Sequence, residues 1–322
     1  MASDAYPPPH IIHPSGGEHK TTLILLHGTS TSGPELAASL FSIPLASDTT
    51  STDCITLNQD LPSVTLTSQK NLESALPYTR IVFPTGKPRK TTVFNGKETN
   101  AWFDVADFSD RTKGEDLQIP GIRESIIYLC SLIQEEIYLL SDQGRESKGR
   151  IVIGGFSQGA AMSFMLLLSG ELLSQNLSHE IGAWTLLSGW TPFRAQIEKA
   201  MFSPPFPDDK ASPQEIYALR REKTRDALWD ILELPALAST SIDTQKQWEE
   251  KRKVFMAHGT QDTKVRTEWG KQSRDLLKNV GLHIQWKEYQ GLEHWFNADE
   301  LRDLVSFVGG IWARNGVLES DK

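Results

Sequence analysis

The chain has 322 residues, 39% apolar and 23% charged, which is enough for one large core, and no repeat or linker calls for a second domain. A formal charge of −8 argues against a nucleic-acid partner, whose phosphates need a basic face. The two cysteines, Cys54 and Cys130, make no disulfide framework and point to a reducing compartment.

Residues 1–14 are proline-rich and lack the apolar run of a secretory signal, and residues 1–9 are expected to be flexible. No stretch is long and apolar enough to span a bilayer. A cytoplasmic protein without stable membrane insertion is therefore expected. Residues 10–13 read as an antiparallel edge strand before the turn Ser15-Gly16-Gly17, and 21–26 as a buried strand. The polar stretch 44–76 reads as a surface loop. A strand follows at 81–83, and Lys87-Pro88-Arg89-Lys90, a compact basic cluster, reads as a solvated loop. The pattern over 121–140 is an amphipathic helix, with Cys130 as a small core residue. Further strands are expected at 151–153, 183–187, 254–257 and 284–288, with helices at 160–169, 271–280 and 298–312. This alternation predicts an α/β fold, a mostly parallel sheet with helices on both faces.

Residues 191–253 exceed the short crossover such a fold needs. Ser212-Pro213-Gln214-Glu215 is a capping box with proline at the first helical position. It opens a helix over 213–232 with an apolar side, and a second short helix is expected at 244–253. The insertion is read as a lid over the functional cleft.

Gly155-Phe156-Ser157-Gln158-Gly159 lies where the strand at 151–153 meets the apolar helix at 160–169. A G-x-S-x-G at such a junction is a nucleophile elbow, which lifts the Ser157 hydroxyl into a cleft. Serine at its free pKa is a poor nucleophile and needs a base, an orienting acid and an oxyanion hole. Among downstream histidines, His283 sits in an edge-strand pattern and His258 closes a strand. His294 follows the last strand on a loop, where the base belongs. Asp262, a few residues past the strand at 254–257, is the expected acid; Asp230 and Asp243 sit in charge-rich stretches that read as surface. The Gly-rich turn after residue 26 and the residue following the nucleophile make the backbone N–H groups of Thr29 and Gln158 the expected oxyanion donors. His27 is read as shaping its turn. Trp102, Phe103, Trp190 and Trp295 are expected to contact substrate.

Leu26-His27-Gly28, Trp102-Phe103-Asp104, Gly154-Gly155-Phe156-Ser157-Gln158-Gly159-Ala160, Leu187-Ser188-Gly189-Trp190, His258-Gly259-Thr260-Gln261-Asp262 and Gly291-Leu292-Glu293-His294 occur in this order. Together they resemble the acyl-protein thioesterases and the wider phospholipase/carboxylesterase family of α/β-hydrolases, from about residue 10 to about 310. The resemblance implies an α/β-hydrolase fold with Ser157 as nucleophile, Asp262 as acid and His294 as base. Thr29 and Gln158 are implied as oxyanion donors. It also implies cofactor-free and metal-free cleavage of esters or thioesters of apolar acyl groups, S-acylated proteins among them. A small-molecule carboxylesterase or lysophospholipase would use the same residues. A binding protein that keeps the fold without turnover is the alternative from another class, and the intact Ser, Asp and His argue against it. This chain departs from the family at its start, where Met1-Ala2-Ser3-Asp4 has no cysteine of the kind acyl-protein thioesterases can carry, and in two places near the site. Thr29-Ser30-Thr31-Ser32-Gly33 replaces the usual Leu-Gly-Asp-x-Gly, and the bulky Trp295 stands beside the base.

Overall fold

The computed structural model describes residues 5–45, 71–142, 147–205, 208, 210–234 and 253–317. In chain order come β1 (His10–Ile12), β2 (Thr21–Leu26), α1 (Gly33–Phe41), α2 (Leu72–Ala75) and β3 (Thr79–Phe83). A small hairpin, β4 (Pro88–Thr91) and β5 (Lys97–Asn100), precedes the long α3 (Ile119–Ser141). Next are β6 (Ile151–Phe156), α4 (Gln158–Leu168), α5 (Glu171–Ser174), β7 (Ile181–Leu187), α6 (Arg194–Met201) and α7 (Pro213–Leu232). The chain then forms β8 (Lys253–Gly259), α8 (Thr267–Asn279), β9 (His283–Tyr289) and α9 (Ala298–Arg314).

Seven strands form one sheet in the order β1-β3-β2-β6-β7-β8-β9. Only β1 runs antiparallel, pairing His10 with Phe83, and it occupies the edge expected for residues 10–13. Strands β2, β6 and β7 are buried along their whole length, which is why they read as unbroken apolar runs and not as alternating ones. Alternate side chains feed two cores. Ile24, Ile153, Trp184 and Met256 pack with α3, α4 and α8, while Leu25, Val152, Phe255 and Ala257 pack with α1 and α9. Every residue of α4 is buried, so this helix is the central pillar of its layer.

Several expectations change on this scaffold. The basic cluster at 87–90 is not a solvated loop: residues 88–90 lie in β4, and Lys87 and Arg89 pair with Glu124 of α3 at 2.9 and 3.2 Å. Tyr6, in the stretch expected to be flexible, stacks on Tyr128 of α3 with ring centroids 3.9 Å apart. Most of the polar stretch 44–76, Cys54 and the expected helix up to residue 252 lie outside the described residues. Lys253, placed at the end of that helix, instead opens β8.

The helix expected as part of a lid docks elsewhere. The capping box forms as read, with Ser212 and Glu215 exchanging side-chain and backbone bonds. However, α7 buries Leu228 and Leu232 against the α3–α4 layer. The indole N–H of Trp229 donates to the Ser169 carbonyl (2.7 Å), Arg221 donates to the Val280 carbonyl (3.0 Å), and Arg123 of α3 donates to the Leu232 carbonyl (2.7 Å). Ser169 follows the last residue of α4 and Ser157 precedes its first, about 18 Å apart along the axis. An apolar helix face needs burial but does not say against what, and here the flank of α4 supplied it. Asp230 sits on this helix, far from the elbow.

Glu300, in the first turn of α9, is fully buried, and neither carboxyl oxygen has a hydrogen-bond partner among the described residues. Burial, reinforced by Asp303 and Asp262, pushes its pKa up to about 8. The folded-state value therefore lies above the ordinary 4.5, so the stability that Glu300 contributes is complete below pH 4.5 and lost as pH rises through about 8. Replacing Glu300 with Gln should remove that loss. The melting-temperature difference, Glu300→Gln minus parent, should grow from pH 5 to about pH 8 and then level off. A difference that stays constant over this range would show that Glu300 ionises normally.

Candidate active site

Ser157 sits between β6 and α4 with φ 56° and ψ −118°, a backbone conformation that a side chain adopts at a cost of about 1–3 kcal/mol. The turn is locked from outside. A Cβ on Gly159 would lie 2.1 Å from the Leu26 carbonyl oxygen, and one on Gly155 would lie 2.6 Å from the same atom. Only glycine permits that approach. The Ser157 N–H donates to the Leu187 carbonyl (2.9 Å), tying the turn to β7 as well. Ser157 itself is only 8% exposed.

His294 reaches this hydroxyl from the loop between β9 and α9. Its Nε2 lies 2.9 Å from Ser157 Oγ, and its Nδ1 lies 2.6 Å from Asp262 Oδ2. Asp262 lies on the turn after β8, where its other oxygen accepts the backbone N–H groups of Lys264 (3.0 Å) and Val265 (2.8 Å). Burial alone would raise the carboxyl pKa, but hydrogen bonds from His258, His294 and Val265 hold it well below the usual carboxylate range. An ionised Asp262 requires the proton on Nδ1 of His294, which leaves the Nε2 lone pair to accept the Ser157 hydroxyl proton. Burial lowers the His294 pKa below that of a free imidazole, against the attraction of Asp262. Phe156 covers one face of the ring at 4.7 Å between centroids.

The loop after β2 is braced against Ser157. A Cβ on Gly28 would meet Ser157 Cβ at 3.3 Å and Oγ at 3.7 Å, so the backbone passes directly beside the nucleophile. Among the described residues, neither the Thr29 N–H nor the Gln158 N–H donates to a protein acceptor. His27 is fully buried, and burial lowers its pKa to about 4, so it is neutral near pH 7. Its Nε2 accepts the Gly86 N–H (2.8 Å), and Nδ1 therefore donates to the Gly28 carbonyl (2.6 Å). The turn-shaping reading of His27 matches this geometry.

Of the four aromatics expected to contact substrate, two do not face the cleft. Trp102 and Phe103 are fully buried, and their backbone is clamped by the Gln158 side chain. Gln158 accepts from the Trp102 N–H (3.1 Å) and donates to the Phe103 carbonyl (2.7 Å). The Trp102 indole donates to the His27 carbonyl (2.9 Å). These two residues support the loop from behind, because neighbouring motif residues in sequence need not share a face. Trp190 is 3% exposed and sits in the wall of a separate cleft. Trp295 is 52% exposed beside His294.

Sequence reasoning set His258 aside as a base, and the structure gives it a different place. Its Nε2–H donates to the Val265 carbonyl (2.7 Å) and lies 3.4 Å from Asp262 Oδ2, so it fixes the acid turn. The His-Gly-x-x-Asp spacing that marked Asp262 also carried this signal. His283 is exposed on the edge strand β9, as its pattern implied. Asp243 lies outside the described residues. Among those residues no group of three or more His, Cys, Asp or Glu is placed to hold a metal, and no helix is long and apolar enough to cross a membrane.

With this geometry in hand, comparison with known proteins is informative. The family model for phospholipase/carboxylesterase matches residues 60–206, which include the elbow. The chain is 26% identical over 304 residues to acyl-protein thioesterase 1 of Yarrowia lipolytica, covering 94% of this chain and 96% of that protein. It is 25% identical over 313 residues to lysophospholipase-like protein 1 of Mus musculus, covering 96% and 93%. Among solved structures, Zea mays acyl-protein thioesterase 2 superposes with a TM-score of 0.59 at 20% identity, over 95% of this chain and 99% of that one. The chain is similar to the phospholipase/carboxylesterase family and has an α/β-hydrolase fold.

Proposed function

We propose that Ser157, His294 and Asp262 form the catalytic triad with which this serine hydrolase cleaves acyl esters and thioesters. One observation carries the reading: a single imidazole bridges the Ser157 hydroxyl at 2.9 Å and the Asp262 carboxylate at 2.6 Å. Ser157 Oγ attacks the acyl carbonyl carbon while His294 Nε2 takes its proton, and Asp262 stabilises the imidazolium that results. The oxyanion accepts the backbone N–H groups of Thr29 and Gln158, both free of protein acceptors. His294 then returns the proton to the departing alcohol or thiol, leaving the acyl group on Ser157. Water repeats the attack, passing its proton through His294, and releases the carboxylic acid and the free serine.

The named relatives support acylated substrates, and the thioesterases among them favour S-acylated proteins with apolar acyl groups as the physiological class. We assign the reaction to a single domain spanning 1–322, since Thr29, Ser157, Asp262 and His294 all follow strands of one sheet. The absence of a membrane-crossing helix among the described residues is compatible with a cytoplasmic location.

A fluorophosphonate should label Ser157 covalently. Ser157→Ala should lose both the label and the hydrolysis of an aryl ester and an S-acyl peptide, with turnover falling by several orders of magnitude. Undiminished labelling of Ser157→Ala, read by peptide mass spectrometry, would remove Ser157 as nucleophile.

The pH profile follows from the direction of the His294 shift. The base must be neutral, and its pKa lies below the ordinary 6.5. Accordingly kcat/KM should rise with pH through an apparent pKa below that value and be level by neutral pH. A rising limb centred at pH 7 or above, with chemistry rate-limiting, would contradict the buried-base geometry.

A further inference from the structure

A second concave feature opens on the loops at the same carboxyl edge of the sheet. It is a cleft of about 360 Å³, walled by the 109–115 segment, the residues after β7 and the start of α8. Its lining is rich in arginine and indole side chains, with Asp110 and Glu115 among them. Arg111, Arg194 and Arg266 line it together with Trp190 and Trp269. The Arg111 guanidinium lies 4.3 Å from the centroid of Trp190, 5.6 Å from that of Trp269 and 5.0 Å from that of Phe108. Arg266 lies 5.4 Å from the centroid of Trp269.

The acidic residues in the wall are already committed. Asp110 accepts from the N–H and hydroxyl of Thr112, and Glu115 accepts from the Phe193 N–H and the Gln196 amide. Arg194 is neutralised by Glu198 at 2.5 Å. Arg111 and Arg266 have no carboxylate within ion-pair distance among the described residues. Arg111 is held by the Lys264 carbonyl at 3.2 Å, and its Nε is buried without an acceptor. Trp190 Nε1 and Thr191 Oγ1, in the same wall, also lack one. The wall thus holds surplus donors and two arginines, Arg111 and Arg266, without a salt-bridge partner among the described residues. Burial lowers the Arg111 pKa only to about 10, so it stays cationic at neutral pH.

The cleft is close to the triad. Lys264, which receives the Arg111 bond, is two residues from Asp262, and the Arg111 charge is felt by Asp262. Gly189, just before Trp190, packs on Ala160 in the first turn of α4. We propose that this cleft is a substrate subsite for an anionic group, a carboxylate or phosphate, carried by the ester that Ser157 cleaves. Arg111 and Arg266 supply charge-assisted donors, and the indoles of Trp190 and Trp269 hold the planar guanidiniums and cover the apolar stem leading to the anion. This inference rests on the triad reading for its link to turnover.

The test compares matched ester pairs. On the acyl side, 4-nitrophenyl butyrate is set against the 4-nitrophenyl monoester of glutarate. On the alcohol side, naphthyl acetate is set against its phosphate-bearing counterpart. The parent should prefer the charged member of at least one pair, and the pair that shows it identifies which side of the ester carries the anion. That preference, as a ratio of kcat/KM values, should fall about tenfold or more in Arg111→Gln and in Arg266→Gln. Arg266 is exposed, so its variant does not depend on refolding a packed wall. No preference in either pair, or a preference that survives replacement of both arginines, overturns the proposal. A separate arm uses Ser157→Ala, in which glutarate or inorganic phosphate should change tryptophan fluorescence saturably, and adding Arg266→Gln should abolish that change. If no ester is turned over by the parent while this binding persists, the hydrolase reading fails and the anion site stands.

Discussion

The β6–α4 turn and the end of β2 approach so closely that methyl groups on Gly155 or Gly159 would overlap the Leu26 carbonyl oxygen. This contact fixes more than one glycine pair. It holds Ser157 in a left-handed conformation that an unsupported turn would leave. It also brings the loop after Leu26 beside the hydroxyl, with Gly28 packed against Ser157. The elbow is therefore defined by two parallel neighbouring strands, and its register, Leu26 opposite Gly155, is part of the site.

The electrostatics are layered outward from that turn. Asp262 is kept ionised inside the protein because two backbone N–H groups and two imidazoles surround it, which offsets the penalty of burying a charge. His294 is in turn buried enough to remain neutral, yet oriented by the carboxylate. His27, more deeply buried, has both ring nitrogens committed to the backbone. Gln158 links the layers, since it follows Ser157 in the elbow while its side chain clamps Trp102 and Phe103.

Much of this was legible in the sequence because short motifs encode backbone geometry. The strand-turn-helix pattern around Ser157 and the positions of Asp262 and His294 after successive strands depend on local spacing, and the structure brings these side chains together. The central parallel strands were legible from apolar runs that burial on both faces requires, and the edge strands β1 and β9 from shorter or alternating patterns. Long-range choices were not legible. Whether Trp102 faces a cleft or the core depends on how Gln158 folds back on it, 56 residues away. The apolar face of α7 announced burial, but the partner was the far end of α4 and the first turn of α3. The Arg111–Trp190–Trp269 cluster joins two loops and the first turn of α8, distant in sequence, and only the assembled sheet makes them neighbours. The service of His258 to the Asp262 turn was not assigned from the sequence, since a histidine's support of a neighbouring carboxylate leaves no periodic trace.

The claim that most needs testing is that Ser157 and His294 act as one unit. The direct measurement is kcat/KM for an aryl ester in Ser157→Ala, His294→Ala and the double variant, each checked for native folding. Residues that act together lose their contribution once, so the double variant should be no slower than the more damaged single variant, within about threefold. Losses that multiply in the double variant would mean that the two residues contribute independently, and the hydrogen bond between them would not be the basis of catalysis.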